Sequence, residues 1–316
     1  MNKEQIVIGI DTSNYTTSVA LVTVSGKLIA NLKRPLPVKP GECGLRQSDA
    51  VFAHVKNMPS IMEDASAYIA DAEIVAVGVS EKPRNTDGSY MPCFLTGVAV
   101  AESVCAATGA RLYRFSHQCG HIMSALYSAD RCDLADGEFY AFHISGGTTE
   151  LVRAVGDGRG FKTEVIGGTK DLNAGQAIDR TGVMMNLPFP SGKHIEELAL
   201  LNTAKIPSKR PSVNGLYLNL SGLQNLAKKI YSESSDKSLV SAFVLDYIGN
   251  GIRSVRDACI EKYGELPVVY AGGVMSNTLI KKMLTRENSF FAEPMLSQDN
   301  AVGISYLALL SFSREK

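Results

Sequence analysis

Two stretches of the chain share one alternation of apolar and polar positions. Residues 6–34 (IVIGIDTSNYTTSVALVTVSGKLIANLKR) and 139–170 (FYAFHISGGTTELVRAVGDGRGFKTEVIGGTK) have the same order of parts. Each reads as a buried apolar strand, a tight turn of small residues, a second strand, a Gly-containing turn and a third strand. The pattern predicts a duplicated three-strand meander. The first turn is Asp11-Thr12-Ser13-Asn14, and its counterpart is Ser145-Gly146-Gly147-Thr148-Thr149. Small residues let backbone N–H groups approach an anion closely, and hydroxyls add donors. The duplication therefore predicts two lobes, each carrying a phosphate-gripping turn, with Thr12, Ser13, Ser145 and Thr148 among the contacts.

The remaining pattern fills in the lobes. Residues 35–47 are Pro/Gly-rich and read as a loop. Residues 48–69 show apolar spacings of three and four, which predict a helix that Pro59 should kink or divide. Residues 73–80 are a continuous apolar strand, 81–93 are turn-rich, 94–109 are a small-residue helix, and 111–115 are a short strand. A helix carrying Ser116-His117-Gln118-Cys119-Gly120-His121 follows. Helices are expected over 171–186 and 191–203, with a long one over 236–263. Residues 267–271 form a strand running into Gly272-Gly273. A helix over 275–285 holds Asn277 in its first turn, 290–294 is a strand, and Asp299 begins a last apolar helix. This alternation predicts an α/β protein with two mixed sheets flanked by helices.

Composition narrows the function classes. Lys+Arg and Asp+Glu both number 32, so the global field gives no sign of nucleic-acid binding. Lys205, Lys209 and Arg210 offer a local basic wall or else a solvated loop. No apolar run approaches the ~18 residues that cross a bilayer, and no secretion signal precedes the first strand. The six cysteines, Cys43 included, are scattered without a C-x-x-C pair, so they read as reduced thiols of a cytoplasmic protein with no membrane partner.

Several residues carry candidate chemistry. His117 and His121, at i and i+4, project from one helical face close enough to share a metal. Gly120 between them costs about 1 kcal/mol in a helix interior, so something approaches the backbone there or the helix ends nearby. The pair lacks the Glu of a zinc protease. Asp299 is the candidate third ligand, although an N-cap is the commoner role for Asp before a helix. His143 lies two residues before Ser145 on the same strand face. It is a further candidate metal ligand or a satisfied core residue. His54 and His194 carry no assignment. Asp11, at the end of an internal strand, suits cation or water positioning in catalysis, or shapes an Asx-turn. The pairs Gly146-Gly147 and Gly272-Gly273, with Asn277, look like a nucleotide pocket.

The stretches IGIDTS, SHQCGH, HISGGTTELV, LNAGQAIDR, LPFPSGKHIEELA, LNLSGLQN, VVYAGGVMSN and LSQDNAVGIS, in this order, resemble the tRNA threonylcarbamoyl-adenosine synthase family, formerly labelled O-sialoglycoprotein endopeptidases. The resemblance implies a duplicated actin-like ATPase fold (the actin, sugar-kinase and heat-shock ATPase superfold, ribonuclease H-like in each half). It further implies two lobes with mixed, five-stranded-type sheets flanked by helices. The lobes would be 1–128 plus 295–316, and 129–294. Its metal ligands, for one iron or zinc ion, fall on His117, His121 and Asp299. A Tyr ligand of some relatives falls on His143. Its adenylate contacts fall on His143, Ile144, Ser145, Gly146, Gly147, Asp179, Gly192 and Asn277. The implied reaction moves a threonylcarbamoyl group from threonylcarbamoyl-AMP to the N6 amine of an anticodon-loop adenosine. The implied partners are tRNA, a paralogous subunit of the same superfold and a small ATPase.

The chain also departs from the family pattern. The usual Cys-Asp-Glu after the first turn is Asn14-Tyr15-Thr16, so an acidic pair is missing. The Gly-rich segment after the strand at 73–79 is replaced by a longer polar one, Ser80 to Gly88. The usual Gly-Glu is Gly175-Gln176, and Thr148 replaces a His or Asn. These departures suggest a diverged paralogue. They leave open a different acyl or phosphoryl transfer on the same nucleotide and metal, or a non-catalytic partner subunit.

Overall fold

The computed structural model describes residues 3–13, 15–37, 45–297 and 301–315. Asn14, Cys43 and Asp299 thus lie outside the described residues. The chain opens with β1 (Glu4–Thr12), β2 (Thr16–Thr23), β3 (Leu28–Pro35), α1 (Gln47–Ile69), β4 (Ala72–Lys82), α2 (Phe94–Thr108), β5 (Arg111–Ser116) and α3 (His117–Ser128). It continues through β6 (Glu138–Ile144), β7 (Thr149–Gly156), β8 (Phe161–Thr169), α4 (Ala174–Met184), α5 (Gly192–Leu200), β9 (Ser212–Asn214), β10 (Tyr217–Asn219) and α6 (Leu223–Ser234). It ends with α7 (Lys237–Tyr263), β11 (Val268–Ala271), α8 (Thr278–Leu284), β12 (Ser289–Phe291), α9 (Pro294–Ser297) and α10 (Val302–Arg314).

The strands form a five-stranded sheet, β3-β2-β1-β4-β5, and a seven-stranded sheet, β12-β11-β6-β7-β8-β10-β9. The order β3-β2-β1-β4-β5 reappears as β8-β7-β6-β11-β12, so the duplication read from the sequence is a duplication of topology. β1 pairs antiparallel with β2 and parallel with β4, and β6 pairs parallel with β11. Central strands are covered on both faces. That is why Val7–Ile10 and Phe139–Ile144 are unbroken buried runs rather than alternating ones.

Contacts group residues 1–138, 154–164 and 295–316 into one compact unit, and 139–153 with 165–294 into another. The first has a core of Ile6, Ile8, Ile10, Val19, Leu21, Val77 and Val79 packed on α1 and α2. Helix α1 presents Ala50, His54, Met58, Ile61 and Ala65 to it, at spacings of four, four, three and four. Each large apolar side chain so buried contributes ~1.5–3 kcal/mol. Helix α10 lies against the same sheet, where a Cβ on Gly9 or Gly78 would stand 2.5 or 2.7 Å from α10-side backbone. The second unit's core gathers Tyr140, Phe142, Ile178, Phe243, Ile248 and Tyr270 around β6, β11 and α7.

Some expectations need correction. Helix α1 runs unbroken through Pro59, which is exposed, so the carbonyl it leaves without a donor faces solvent. The helix expected from residue 171 starts at Ala174 because Asp171 serves a loop instead, accepting from Leu220 N (3.0 Å) and Ser221 N (2.9 Å). Burial would raise the Asp171 pKa, but these N–H groups hold it well below the usual carboxylate range. The second sheet exceeds five strands because β10 adds parallel to β8 and β9 adds antiparallel to β10. Residues 273–276 form a 3-10 turn, so Asn277 is the N-cap of α8 rather than part of its first turn. The last helix begins at Val302. None of the five described cysteines is in a disulfide. Among the described residues no helix is long and apolar enough to cross a membrane.

Candidate metal and nucleotide sites

In the first unit the imidazoles come together as their spacing predicts. Ser116 caps α3 by accepting from Cys119 N (3.2 Å), which fixes the first turn that carries His117. One turn later His121 is buried, and its Nε2 stands 3.0 Å from Nε2 of His117, the rings nearly perpendicular. His117 Nδ1 lies 2.9 Å from Asp11 Oδ1. With the Asp11 oxygen as acceptor, Nδ1 carries the hydrogen and Nε2 faces His121. Asp11 is fully buried at the end of β1. Its Oδ1 also accepts from the Ser80 hydroxyl of the adjacent β4, and its Oδ2 has no hydrogen-bond partner among the described residues.

This donor set fits a divalent cation. Two imidazoles suit zinc or iron. At metal–nitrogen distances of ~2.0–2.1 Å, two ligands of one tetrahedral ion stand about 3.3 Å apart, close to the observed separation. A fully buried carboxylate with an unsatisfied oxygen is costly by ~1–3 kcal/mol, and positive charge nearby offsets that. Among the described residues no group of three His, Cys, Asp or Glu makes a complete metal site. The third expected ligand, Asp299, lies outside them. The segment after it is anchored to the histidine helix: Gly303 N donates to Ser124 Oγ (2.9 Å) at the start of α10. A Cβ on Gly303 would lie 1.9 Å from the Gly120 carbonyl, and one on Gly120 would lie 2.9 Å from Ile304. The close approach expected at Gly120 is therefore helix-on-helix packing.

The first turn is held from behind. Thr12 Oγ1 accepts from Gly97 N (3.2 Å) under α2, which commits this hydroxyl oxygen to packing. His54, fully buried on α1, donates from Nε2 to the Ser13 carbonyl (2.8 Å), and its Nδ1 accepts from Thr17 Oγ1 (2.8 Å). Asn57, one turn along α1, donates to the same Thr17 oxygen (3.2 Å). Burial lowers the His54 pKa, ahead of the raising effects of Ser13 and Asp11, so the ring is neutral and the Nε2–H tautomer is set. Ser13 Oγ is buried and makes no hydrogen bond among the described residues.

In the second unit the turn at 145–149 is tied to α4 and lies beside Gly272, while Asp179 lies within α4, and Gly192 and Asn277 stand at the starts of other helices. His143 is buried in β6 beside Ala271 of β11. Ser145 N donates to the Thr148 carbonyl (2.8 Å) and closes the turn. Asn173 Nδ2 donates to the Gly147 carbonyl (3.0 Å), and Ala174 N to Thr149 Oγ1 (2.8 Å), so the start of α4 is tied to the turn. A Cβ on Gly175 would lie 2.5 Å from the Ser145 carbonyl, and one on Gly272 (φ +94°) would lie 2.4 Å from the Ile144 carbonyl. Asp179 accepts from Ser191 N (2.8 Å), just before Gly192 at the start of α5. Burial raises the Asp179 pKa, and that N–H only partly opposes it. Asn277 Oδ1 accepts from Leu279 N (3.1 Å) and Ile280 N (3.0 Å), while Glu196 of α5 accepts from Thr278 N (2.7 Å).

The glycines of this region divide into two kinds. Gly175 and Gly272 are demanded by packing. Gly146, Gly147, Gly192 and Gly273 are not: a Cβ on any of them meets nothing within 4 Å, and none has positive φ. Their backbone is open to close approach. Sequence reading missed His54, Ser80, Gly175 and Glu196. For His54 a signal existed, since it occupies a position of the buried stripe of α1 where every other member is apolar.

Residues 41–306 match the family model for TsaD, tRNA N6-adenosine threonylcarbamoyltransferase. The protein of that name from Halalkalibacterium halodurans is 28% identical over 337 residues, covering 100% of this chain and 93% of the relative. That from Bacillus licheniformis is 29% identical over 335 residues, covering 99% and 93%. Among solved structures, component A of the Acidaminococcus fermentans (R)-2-hydroxyglutaryl-CoA dehydratase superposes with a TM-score of 0.57 at 12% identity, over 98% of this chain and 99% of that one. HypF of T. kodakarensis gives 0.58 at 11% identity, covering 99% of this chain and 48% of that longer one. These likenesses show the fold, the actin-like ATPase superfold with two mixed sheets and flanking helices.

Proposed function

Because the chain belongs to the TsaD family of tRNA N6-adenosine threonylcarbamoyltransferases, we propose that it transfers a threonylcarbamoyl group from threonylcarbamoyl-AMP to the N6 amine of an anticodon-loop adenosine in tRNA. The observation that supports this most is the bare backbone at Gly146, Gly147, Gly192 and Gly273, which packing does not explain. In this reading the adenylate lies on those glycines. Ser145 and Thr148 bind its phosphate, Asp179 faces its ribose, and Thr12 and Ser13 supply the first lobe's turn. Asn277 steadies the start of α8 beside Gly273. His117, His121 and Asp299 would hold one zinc or iron ion. Bound there, the cation would act as a Lewis acid on the carbamoyl carbonyl. The N6 amine attacks the carbamoyl carbon, the C–N bond forms, the carbon–oxygen bond to the phosphate breaks, and AMP leaves as N6 loses a proton. The target adenosine sits in a single-stranded loop where its edge is accessible. A paralogous subunit and a small ATPase are the expected partners, and the cytoplasm the compartment.

A second reading is favoured by one observation: Asn14-Tyr15-Thr16 stands where the family has Cys-Asp-Glu. On that reading the same nucleotide and metal serve another acyl or phosphoryl transfer. One experiment separates the two. Purified protein is incubated with threonylcarbamoyl-adenylate and unmodified tRNA, with and without the partner proteins, and nucleosides are read by mass spectrometry. Threonylcarbamoyl-adenosine in the tRNA supports the first reading. Its absence with all partners present, while AMP still binds, contradicts the first and leaves the second.

A further inference from the structure

Asp11 is the one carboxylate that the sequence places at the first turn as a candidate catalyst, and the structure gives it a different setting. Its residue is fully buried, so its oxygens are turned away from bulk solvent. Oδ1 accepts from His117 Nδ1 at 2.9 Å and from the hydroxyl of Ser80. The contact spans 106 residues of sequence, and Ser80 reaches it because β4 runs parallel beside β1, with Ile10 opposite Val79. We propose that Asp11 is a positioning residue for metal binding: held by Ser80, it locks His117 in the Nδ1–H tautomer and aims the Nε2 lone pair at the point that His121 Nε2 also faces.

The physical reason is the two-sided nature of imidazole. A neutral His ligates through whichever nitrogen lacks the proton, and the partner of the other nitrogen decides which that is. Without Asp11 the acceptor that fixes the hydrogen on Nδ1 is gone, and the tautomer that ligates through Nε2 is less firmly set. A carboxylate behind the ring is also favoured by a cation on its far side. The inference rests on the metal reading of His117 and His121, and it assigns Asp11 no contact with substrate.

The test measures affinity for Zn²⁺ and Co²⁺ by competition with a chromophoric chelator, together with the melting temperature of each apoprotein. The expected order is wild type tightest, then Asp11→Asn and Ser80→Ala, then Asp11→Ala weaker by ~10–100-fold. Asp11→Asn keeps an oxygen that accepts from Nδ1, so partial rescue relative to Asp11→Ala is the signature of positioning rather than of folding. A folded Asp11→Ala protein with wild-type affinity overturns the inference. Should Asp11→Ala not fold, Ser80→Ala decides, and unchanged affinity there overturns it equally. The double variant His117→Ala plus His121→Ala separates the premises. If it alone loses metal, the role of Asp11 falls and the metal site stands. If it too binds as wild type does, the metal reading itself is wrong.

Discussion

The two units hold their candidate ligands by opposite means. In the first, the proposed recognition uses donor atoms: Asp11 and His121 are buried, His117 is partly exposed, and the three are joined by hydrogen bonds. In the second the proposed recognition uses missing side chains, since Gly146, Gly147, Gly192 and Gly273 have open space among the described residues where a Cβ would stand. A cation needs a few lone pairs at fixed positions, so its site tolerates little change in residue type. An adenylate needs close approach along a surface, so its site is specified by what is absent. The two units share one topology, built on β1 in the first and on β6 in the second.

Neighbouring glycines sharpen this contrast most strongly. Gly272 has φ +94° and backbone 2.4 Å from any added Cβ, whereas Gly273 has neither constraint. Gly272→Val should destabilise the protein by about 3 kcal/mol or more, combining backbone strain of order 1–3 kcal/mol with a clash. Gly273→Val should stay within roughly 0.5 kcal/mol of wild type. Urea denaturation of the two variants decides, and equal destabilisation would break the division between packing glycines and binding glycines.

A smaller effect is expected at His54. Replacing it by Gln removes the clamp on the Ser13 carbonyl and should cost ~1–3 kcal/mol by leaving buried partners unsatisfied. The pH dependence gives the sign. The folded-state pKa of His54 lies below its ordinary 6.5 because of burial, so the unfolded chain takes up the proton first as pH falls. Wild-type stability is therefore full above about pH 6.5 and declines below it through the folded pKa, with His54→Gln flatter over that range. Parallel curves for the two proteins would contradict the neutral buried ring.

The smallest effect concerns Asp179. Its raised folded pKa means that its charged form is disfavoured in the folded state, a contribution favourable only below the unfolded carboxylate pKa and lost as pH rises. Asp179→Asn keeps an acceptor for Ser191 N, so at pH 7 it should be no less stable than wild type. Its AMP affinity should nonetheless fall if the carboxylate faces the ribose. A drop in stability without a drop in affinity would recast Asp179 as purely structural.

The sequence made much of the fold legible because the repeated meander is a local pattern. Strand β1 with its turn and strand β6 with its turn are each readable within ten residues, and the i, i+4 histidines within five. Strands β9 and β10 were not legible, since three residues each carry no periodicity and the pairing of β10 with β8 joins positions about fifty residues apart. The role of Asp11 was hidden for the same reason. Ser80 and His117 reach it only once β4 and α3 are in place. His54 was visible as a buried position but not as a clamp, because Ser13 and Thr17 belong to another element. Gly175 and Gly273 looked alike as letters, and only the space around each tells them apart.

The central claim, that one unit binds nucleotide with bare backbone independently of the other unit's histidines, is tested most directly by calorimetric titration of AMP. Three proteins are compared: wild type, Gly273→Val, and His117→Ala plus His121→Ala. The expected result is equal affinity for wild type and the histidine variant, and at least tenfold weaker binding by Gly273→Val, a loss of about 1.4 kcal/mol. Wild-type affinity in Gly273→Val would contradict the account.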